Sequence, residues 1–214
     1  MRLAELRAEV VDVLRRLEAA GLVTGTSGNV SARDAQTGLI AISPTSTPYD
    51  RMRPEDVSVS DPEGELLEGA AASVELPMHL AIQFGRPEVA AIVHTHSPYA
   101  TAVGLVLDEI PVVLAEQAAA VGGPIPVVSY APTGERAMGE AVLAAGDAWA
   151  AIVRNHGPVC LGRSLGEALR CAFAVEEAAQ VYAVARQLGE PALLPPDELV
   201  RLNRLRLRPR ASGE

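Results

Sequence analysis

The stretch EVAAIVHTHSPYATAVGLVL, residues 88–107, holds the two readings on which the fold turns. Its first half, up to His96, is an apolar run that predicts a strand. From Ser97 onward a capping serine, a proline and then small and apolar residues predict a buried helix. His94 and His96 stand between the two, one residue apart. In a strand, positions i and i+2 point the same way, so two imidazoles so placed could share one metal ion. A half-exposed strand end is the plainer reading of the same pair.

Working outward, the chain alternates such elements. Leu3, Leu6, Val10, Val13, Leu14 and Leu17 form a helical stripe with charges between them, where an export signal would need a continuous apolar core. Strands are expected at Asn29 to Arg33, Leu39 to Ser43 and Val57 to Ser60, with a proline-marked loop and a DPEG turn between and after. Ser73 to Pro77 reads as a helix start that continues through MHLAIQFG. Beyond residue 107, IPVV and IPVVSY read as strands, separated by AEQAAAVGG, whose conformation the pattern does not assign. GERAMGEAVLAAG reads as a helix, AAIVRNHG and PVCLG as strands, and a long amphipathic helix is expected to end at Gly189. This alternation predicts an α/β domain, and the short strand-to-strand links favour a mixed or antiparallel sheet over a doubly wound one. One domain is expected over residues 1–214, with 190–214 as a C-terminal tail.

Composition removes several classes of function. With 27 acidic against 18 basic residues the net charge is −9, which repels phosphate backbones and argues against nucleic acid as a partner. No apolar run is long enough to span a bilayer. Two cysteines, Cys160 and Cys171, are too few for a disulfide framework and suit a reducing cytoplasm. Every basic residue is arginine, so neither a Schiff-base lysine nor a P-loop lysine is present. Carbanion chemistry in such a chain needs another electron sink, and a metal is the obvious one.

Of the other two histidines, His156 in RNHGP is the better third ligand, since a strand end before glycine and proline delivers a side chain into a cleft. His79 follows Glu75 by four residues on one helical face, and a packed, hydrogen-bonded histidine is its better reading. Three histidines around zinc leave a position for water, substrate or a carboxylate, the pattern of a catalytic site. Glu75 is the carboxylate to ask about, although on the pattern alone a simple charge at a helix terminus explains it as well or better.

Taken together, TSGNVSAR (26–33), ISPTSTPYD (42–50), SVELPMHLAI (73–82), VHTHSPYATA (93–102) and RNHGPVCLG (154–162) resemble, in order and spacing, the signatures of the class II aldolase/adducin family. The resemblance implies a three-layer α/β/α fold around a central mixed, largely antiparallel sheet. It implies that His94, His96 and His156 are zinc ligands and that Glu75 both binds the resting metal and serves as acid/base. Zn2+ is the metal it implies, with Mn2+ or Co2+ as alternatives. It further implies reversible retro-aldol cleavage of a ketose 1-phosphate to dihydroxyacetone phosphate and an aldehyde, through a metal-bound enediolate. A cytoplasmic homotetramer of carbohydrate metabolism, with its active site at the subunit interface, is the assembly expected. Thr26, Gly28 and Asn29 match the family's phosphate loop, to which Thr45, Ser46 and Ser73 add a second strip.

This chain departs from the pattern in places. The second strip usually reads Thr-Gly or Ser-Gly, and here it is Thr45-Ser46; the paired serines before the glutamate are here Ser73-Val74. Family aldolases place a tyrosine where this chain has Ala115, so the identity of the aldehyde is left open. The alternatives are a decarboxylase or a sugar-phosphate epimerase of the same family, or a non-enzymatic adducin-like scaffold. The epimerase branch uses an aspartate where Glu75 stands, which disfavours it, and retention of Glu75 and the three histidines disfavours the scaffold.

Overall fold

The computed structural model describes residues 1–206. The first amphipathic segment is helix α1, Ala4–Ala19, whose stripe buries Val10, Val13, Leu14 and Leu17. Four short strands follow: β1 (Asn29–Arg33), β2 (Ile40–Ile42), β3 (Ser58–Ser60) and β4 (Leu66–Glu68). Helix α2 (Leu76–Gly85) has a proline in its first turn, where the missing N–H costs nothing. Then come β5 (Ala91–His94), α3 (Pro98–Gly104), β6 (Glu109–Ile110), α4 (Ala115–Ala120) and β7 (Ile125–Val128). Helix α5 (Arg136–Leu143), β8 (Ala150–Val153), β9 (Gly157–Gly162), α6 (Leu165–Leu188) and α7 (Pro196–Arg206) complete the order.

The strands form one sheet in the order β4-β3-β2-β1-β5-β9-β8-β7-β6. Every pairing is antiparallel except β7 with β8, so the sheet is mixed and largely antiparallel, as its short links require. The central strands are covered on both faces. Along β5, Ala91 and Val93 enter the core shared with α1, α3 and α6, whereas Ile92 enters a second core with Met78 and Ile82 of α2 and Met138 and Val142 of α5. β8 alternates in the same way, with Ala150 and Ile152 on one side and Ala151 and Val153 on the other. The result is an α/β/α arrangement in which each fully buried branched side chain such as Ile92 contributes about 1.5–3 kcal/mol. The parity of β5 also matters for chemistry: His94 continues the face of Ile92, toward the start of α2.

Several expectations are corrected by the coordinates. The strand read through His96 stops at His94, and Thr95 to Ser97 form an extended link into α3. β4 was not expected, because an exposed three-residue edge strand carries almost no alternation; it is pinned where Glu68 meets the buried Arg7 guanidinium at 2.7 Å. Of AEQAAAVGG, which the pattern does not assign, the first six residues form the short helix α4. Within the segment read as a tail lies α7, which docks on the α4 region: Asn203 Nδ2 donates to Gly122 O at 2.8 Å and Leu194 N to Val112 O at 2.8 Å. Arg208 and Arg210 of the arginine-rich end lie outside the described residues. Among the described residues no helix is long and apolar enough to cross a membrane.

Candidate active site

Three elements end at one place. β5 delivers His94, its extended continuation delivers His96, and the turn between β8 and β9 delivers His156, with Asn155 just before it at φ 60°. The imidazole centroids form a nearly equilateral triangle, with separations of 5.0, 4.9 and 4.9 Å. One nitrogen from each ring falls within 4.8 Å of the others. His94 is wholly buried, His156 half-buried and His96 exposed, so the cluster opens toward solvent on the His96 side.

Glu75 immediately precedes α2, but its side chain makes no helix-capping bond. It turns into the histidines instead, with Oε2 3.3 Å from His94 Nε2 and Oε1 3.2 Å from His156 Nε2. A helix-terminus charge is therefore not what this carboxylate supplies. Glu75 Oε1 and His156 Nε2 lie outside hydrogen-bonding geometry and are both buried without a partner, a costly arrangement unless something else satisfies them.

A divalent metal fits that requirement. Ligands about 2.1 Å from a tetrahedral centre lie roughly 3.4 Å from one another, and the separations here are 3.2 Å for His94 Nε2 to His96 Nε2 and 3.2–3.3 Å for the Glu75 contacts. His94 Nδ1 lies 3.0 Å from Pro158 O; a carbonyl can only accept, so Nδ1 carries the proton and Nε2 keeps its lone pair for the cluster. Burial pushes the His94 pKa down to about 3 against the opposing pull of Glu75, and lowers that of His96 as well, so both rings are neutral at pH 7. For Glu75 burial opposes charge, but the adjacent His156, the His94 ring and the Asn29 amide outweigh it and hold the carboxyl well below the usual range.

Two glycines let the surrounding backbone close on the ligand strand. Gly28, at φ 76°, lies so near β5 that a Cβ there would sit 2.6 Å from His94 O. On the other side a Cβ at Gly157 would collide with Thr95 O. In the sequence Gly28 reads as part of an anion loop and Gly157 as the glycine that ends the His156 strand, and the close approach of each to the ligand strand appears only in the fold. Helix α3, which continues the ligand link, is fixed from α6 by Glu176, whose two carboxylate oxygens accept from Tyr99 N at 2.9 Å and Ala100 N at 2.8 Å.

The residues expected to hold phosphate are spread along the neighbouring rim. Thr26 is exposed and Gly28 half-buried in the loop before β1. This loop is held from beneath by Tyr49, whose hydroxyl lies 2.8 Å from both Ser27 O and Gly28 O. Ser46 is exposed at φ 55°, the left-handed conformation that favours glycine, and Thr45 Oγ1 lies 3.5 Å from its hydroxyl. Ser73 Oγ accepts from Glu75 N at 3.2 Å. Val74 is 61 % exposed. Asn29 differs from the others, because its amide is occupied by Glu75 and His79. His79 stands outside the histidine triangle, wholly buried and hydrogen-bonded, as its packed reading implies.

Comparison with known proteins places the chain in a family. The family model described as Class II Aldolase and Adducin N-terminal domain matches residues 8–183. The chain belongs to this family. The 5-deoxy-D-ribulose 1-phosphate aldolase of Bacillus thuringiensis serovar kurstaki is 35 % identical over 94 % of this chain and 95 % of its own. The 5-methylthioribulose-1-phosphate/5-deoxyribulose-1-phosphate aldolase of Rhodospirillum rubrum is 36 % identical over 92 % and 89 %. Among solved structures an L-fuculose 1-phosphate aldolase superposes with a TM-score of 0.89 at 29 % identity, covering 96 % of this chain and 97 % of the other. As a class II aldolase the chain is a metal-dependent carbon–carbon lyase, and His94, His96 and His156 are a group in it that could hold the metal.

Proposed function

We propose that this class II aldolase is zinc-dependent and reversibly cleaves a ketose 1-phosphate to dihydroxyacetone phosphate and an aldehyde. The observation that carries the reading is Glu75 aimed into three convergent histidines with one oxygen unpartnered. His94, His96 and His156, with Glu75, would hold the zinc, which would supply positive charge for the anion left when the carbon–carbon bond breaks. Manganese or cobalt would suit the same ligands. The chain's own residues do the rest. Glu75 moves the proton: Asn29 donates to Oε2 at 2.6 Å and steadies it, which leaves Oε1 as the oxygen that accepts and returns the proton. Thr26 and Gly28, on a loop that Tyr49 keeps in shape, bind the phosphate together with Thr45, Ser46 and Ser73, while the Asn29 side chain stays with Glu75.

Two relatives spanning about nine-tenths or more of this chain are named for 5-deoxyribulose 1-phosphate, so that ketose phosphate is the first substrate to assay. A coupled assay that reads dihydroxyacetone phosphate, run with and without chelator, is expected to show cleavage that chelation abolishes and added Zn2+ restores. Absence of cleavage across a panel of ketose 1-phosphates by metal-loaded protein would sink the proposal, and release of carbon dioxide or a C4-epimer would replace aldol cleavage with decarboxylation or epimerisation.

The reading extends to a cytoplasmic homotetramer with the site at a subunit interface. Phe84 and Leu188 are 80 % and 86 % exposed in the single chain, large apolar side chains that a neighbouring subunit would cover, and two free buried cysteines suit a reducing compartment. Light scattering is expected to give four times the chain mass; a monomer at micromolar concentration would contradict the assembly.

A further inference from the structure

We infer that His79 is a positioning residue for Glu75, acting through Asn29 as the middle of a hydrogen-bonded chain that begins at Ser31. The inference rests on the reading of Glu75 as the proton-moving group and adds what holds it. Two lattices meet here. On β1, Asn29 and Ser31 are two residues apart and share the face turned to α2, the face that His94 occupies opposite Asn29. On α2, His79 follows Glu75 by four residues and lies on the same side of the helix. Two residues of strand span about 6.6–6.8 Å and four residues of helix about 6 Å, so the two pairs come into register. The contacts follow: Ser31 Oγ to His79 Nδ1 at 2.6 Å, His79 Nε2 to Asn29 Oδ1 at 2.5 Å and Asn29 Nδ2 to Glu75 Oε2 at 2.6 Å.

The direction of every proton in this chain is fixed from its end. An ionised carboxylate only accepts, so Asn29 must present its NH2 to Glu75 and its carbonyl to His79. That carbonyl demands the proton on His79 Nε2, which leaves Nδ1 as an acceptor for the Ser31 hydroxyl. Ser31 and His79 are wholly sealed from solvent and Asn29 nearly so, at 0, 0 and 5 % exposure, so no water competes for these bonds. A histidine whose tautomer is dictated in this way does not exchange protons with substrate. It locks the rotamer of Asn29, and through it the position of Oε2.

Two variants of His79 separate this role from packing. A glutamine carries its amide nitrogen two bonds beyond Cγ, where Nε2 stands, and can still donate to Asn29. An asparagine carries its nitrogen one bond beyond Cγ, at the place of Nδ1, and cannot reach. His79→Gln is expected to keep turnover near that of the parent, whereas His79→Asn should lower kcat by about 10–100-fold with little change in KM. Metal content and melting temperature are measured on both. Equal kcat for the two variants would overturn the inference. Should His79→Asn fail to fold, His79→Leu takes its place: it fills similar space but offers no donor to Asn29, is expected to lower kcat while metal stays bound, and an unchanged kcat would overturn the inference equally. Failure of the underlying reading looks different, since Glu75→Gln would then turn over normally whatever the His79 variants do.

Discussion

Glu75→Gln is expected to lower turnover by about 10²–10⁴-fold, the usual worth of a positioned acid/base, while the protein keeps most of its metal. The substitution preserves size and leaves an acceptor for the Asn29 amide, which now donates to Oε2 at 2.6 Å. What it removes is the unpartnered Oε1 as a proton acceptor. Loss of a proton-moving group lowers kcat and kcat/KM together, whereas loss of a binding contact alone raises KM. The test is steady-state cleavage of 5-deoxyribulose 1-phosphate alongside exchange of deuterium from solvent into dihydroxyacetone phosphate, with metal content measured on the same preparation. A variant that cleaves and exchanges at the parent rate would return Glu75 to a purely structural role and leave the proton to another group.

His94→Ala is expected to have an effect of a different kind, loss of most bound metal and of activity with the fold retained. His94 is wholly buried, and its Nδ1 is committed to Pro158 O at 3.0 Å, so its Nε2 is the most rigidly aimed of the three ring nitrogens. Removing it takes away one of the three imidazoles that could hold the metal and also unpairs Glu75, which now lies 3.3 Å from that nitrogen. The fold survives because β5 is held by its ladders to β1 and β9 and by Ile92 and Val93, none of which depend on the imidazole. Elemental analysis beside circular dichroism separates the two quantities. Full metal occupancy in a folded His94→Ala protein would remove His94 from the ligand set.

Much of this site is legible in the amino-acid sequence, and the illegible parts share a cause. Imidazoles are scarce here, four in 214 residues, so a His-x-His pair and a His-Gly-Pro turn stand out, and the antiparallel character of the sheet follows from the short links. By itself Glu75 reads better as a charge at a helix start; the parity of β5, which sends His94 toward α2, is what brings the imidazole within 3.3 Å of that carboxylate. Asn29 reads as a phosphate-loop residue because its neighbours do, while its commitment to Glu75 and His79 depends on residues 46 and 50 positions away. β4 and α4 are too short to show a periodic stripe, and α7 buries no side chain and is fixed by contacts such as Asn203 on Gly122, which leave no pattern in hydrophobicity.

The bare backbone contacts at Gly28 and Gly157 have a consequence for divergence within the family. The strand that carries His94 and its continuation are gripped on either side by main chain at two glycines, so the spacing of the histidines depends on Gly28 and Gly157 and not on the other residues of the adjoining loops. Residues elsewhere on the rim, such as Ser46 and the exposed Val74, can then differ without retuning the metal. A lineage built this way can exchange one sugar phosphate for another by editing its rim while inheriting the same reactive centre.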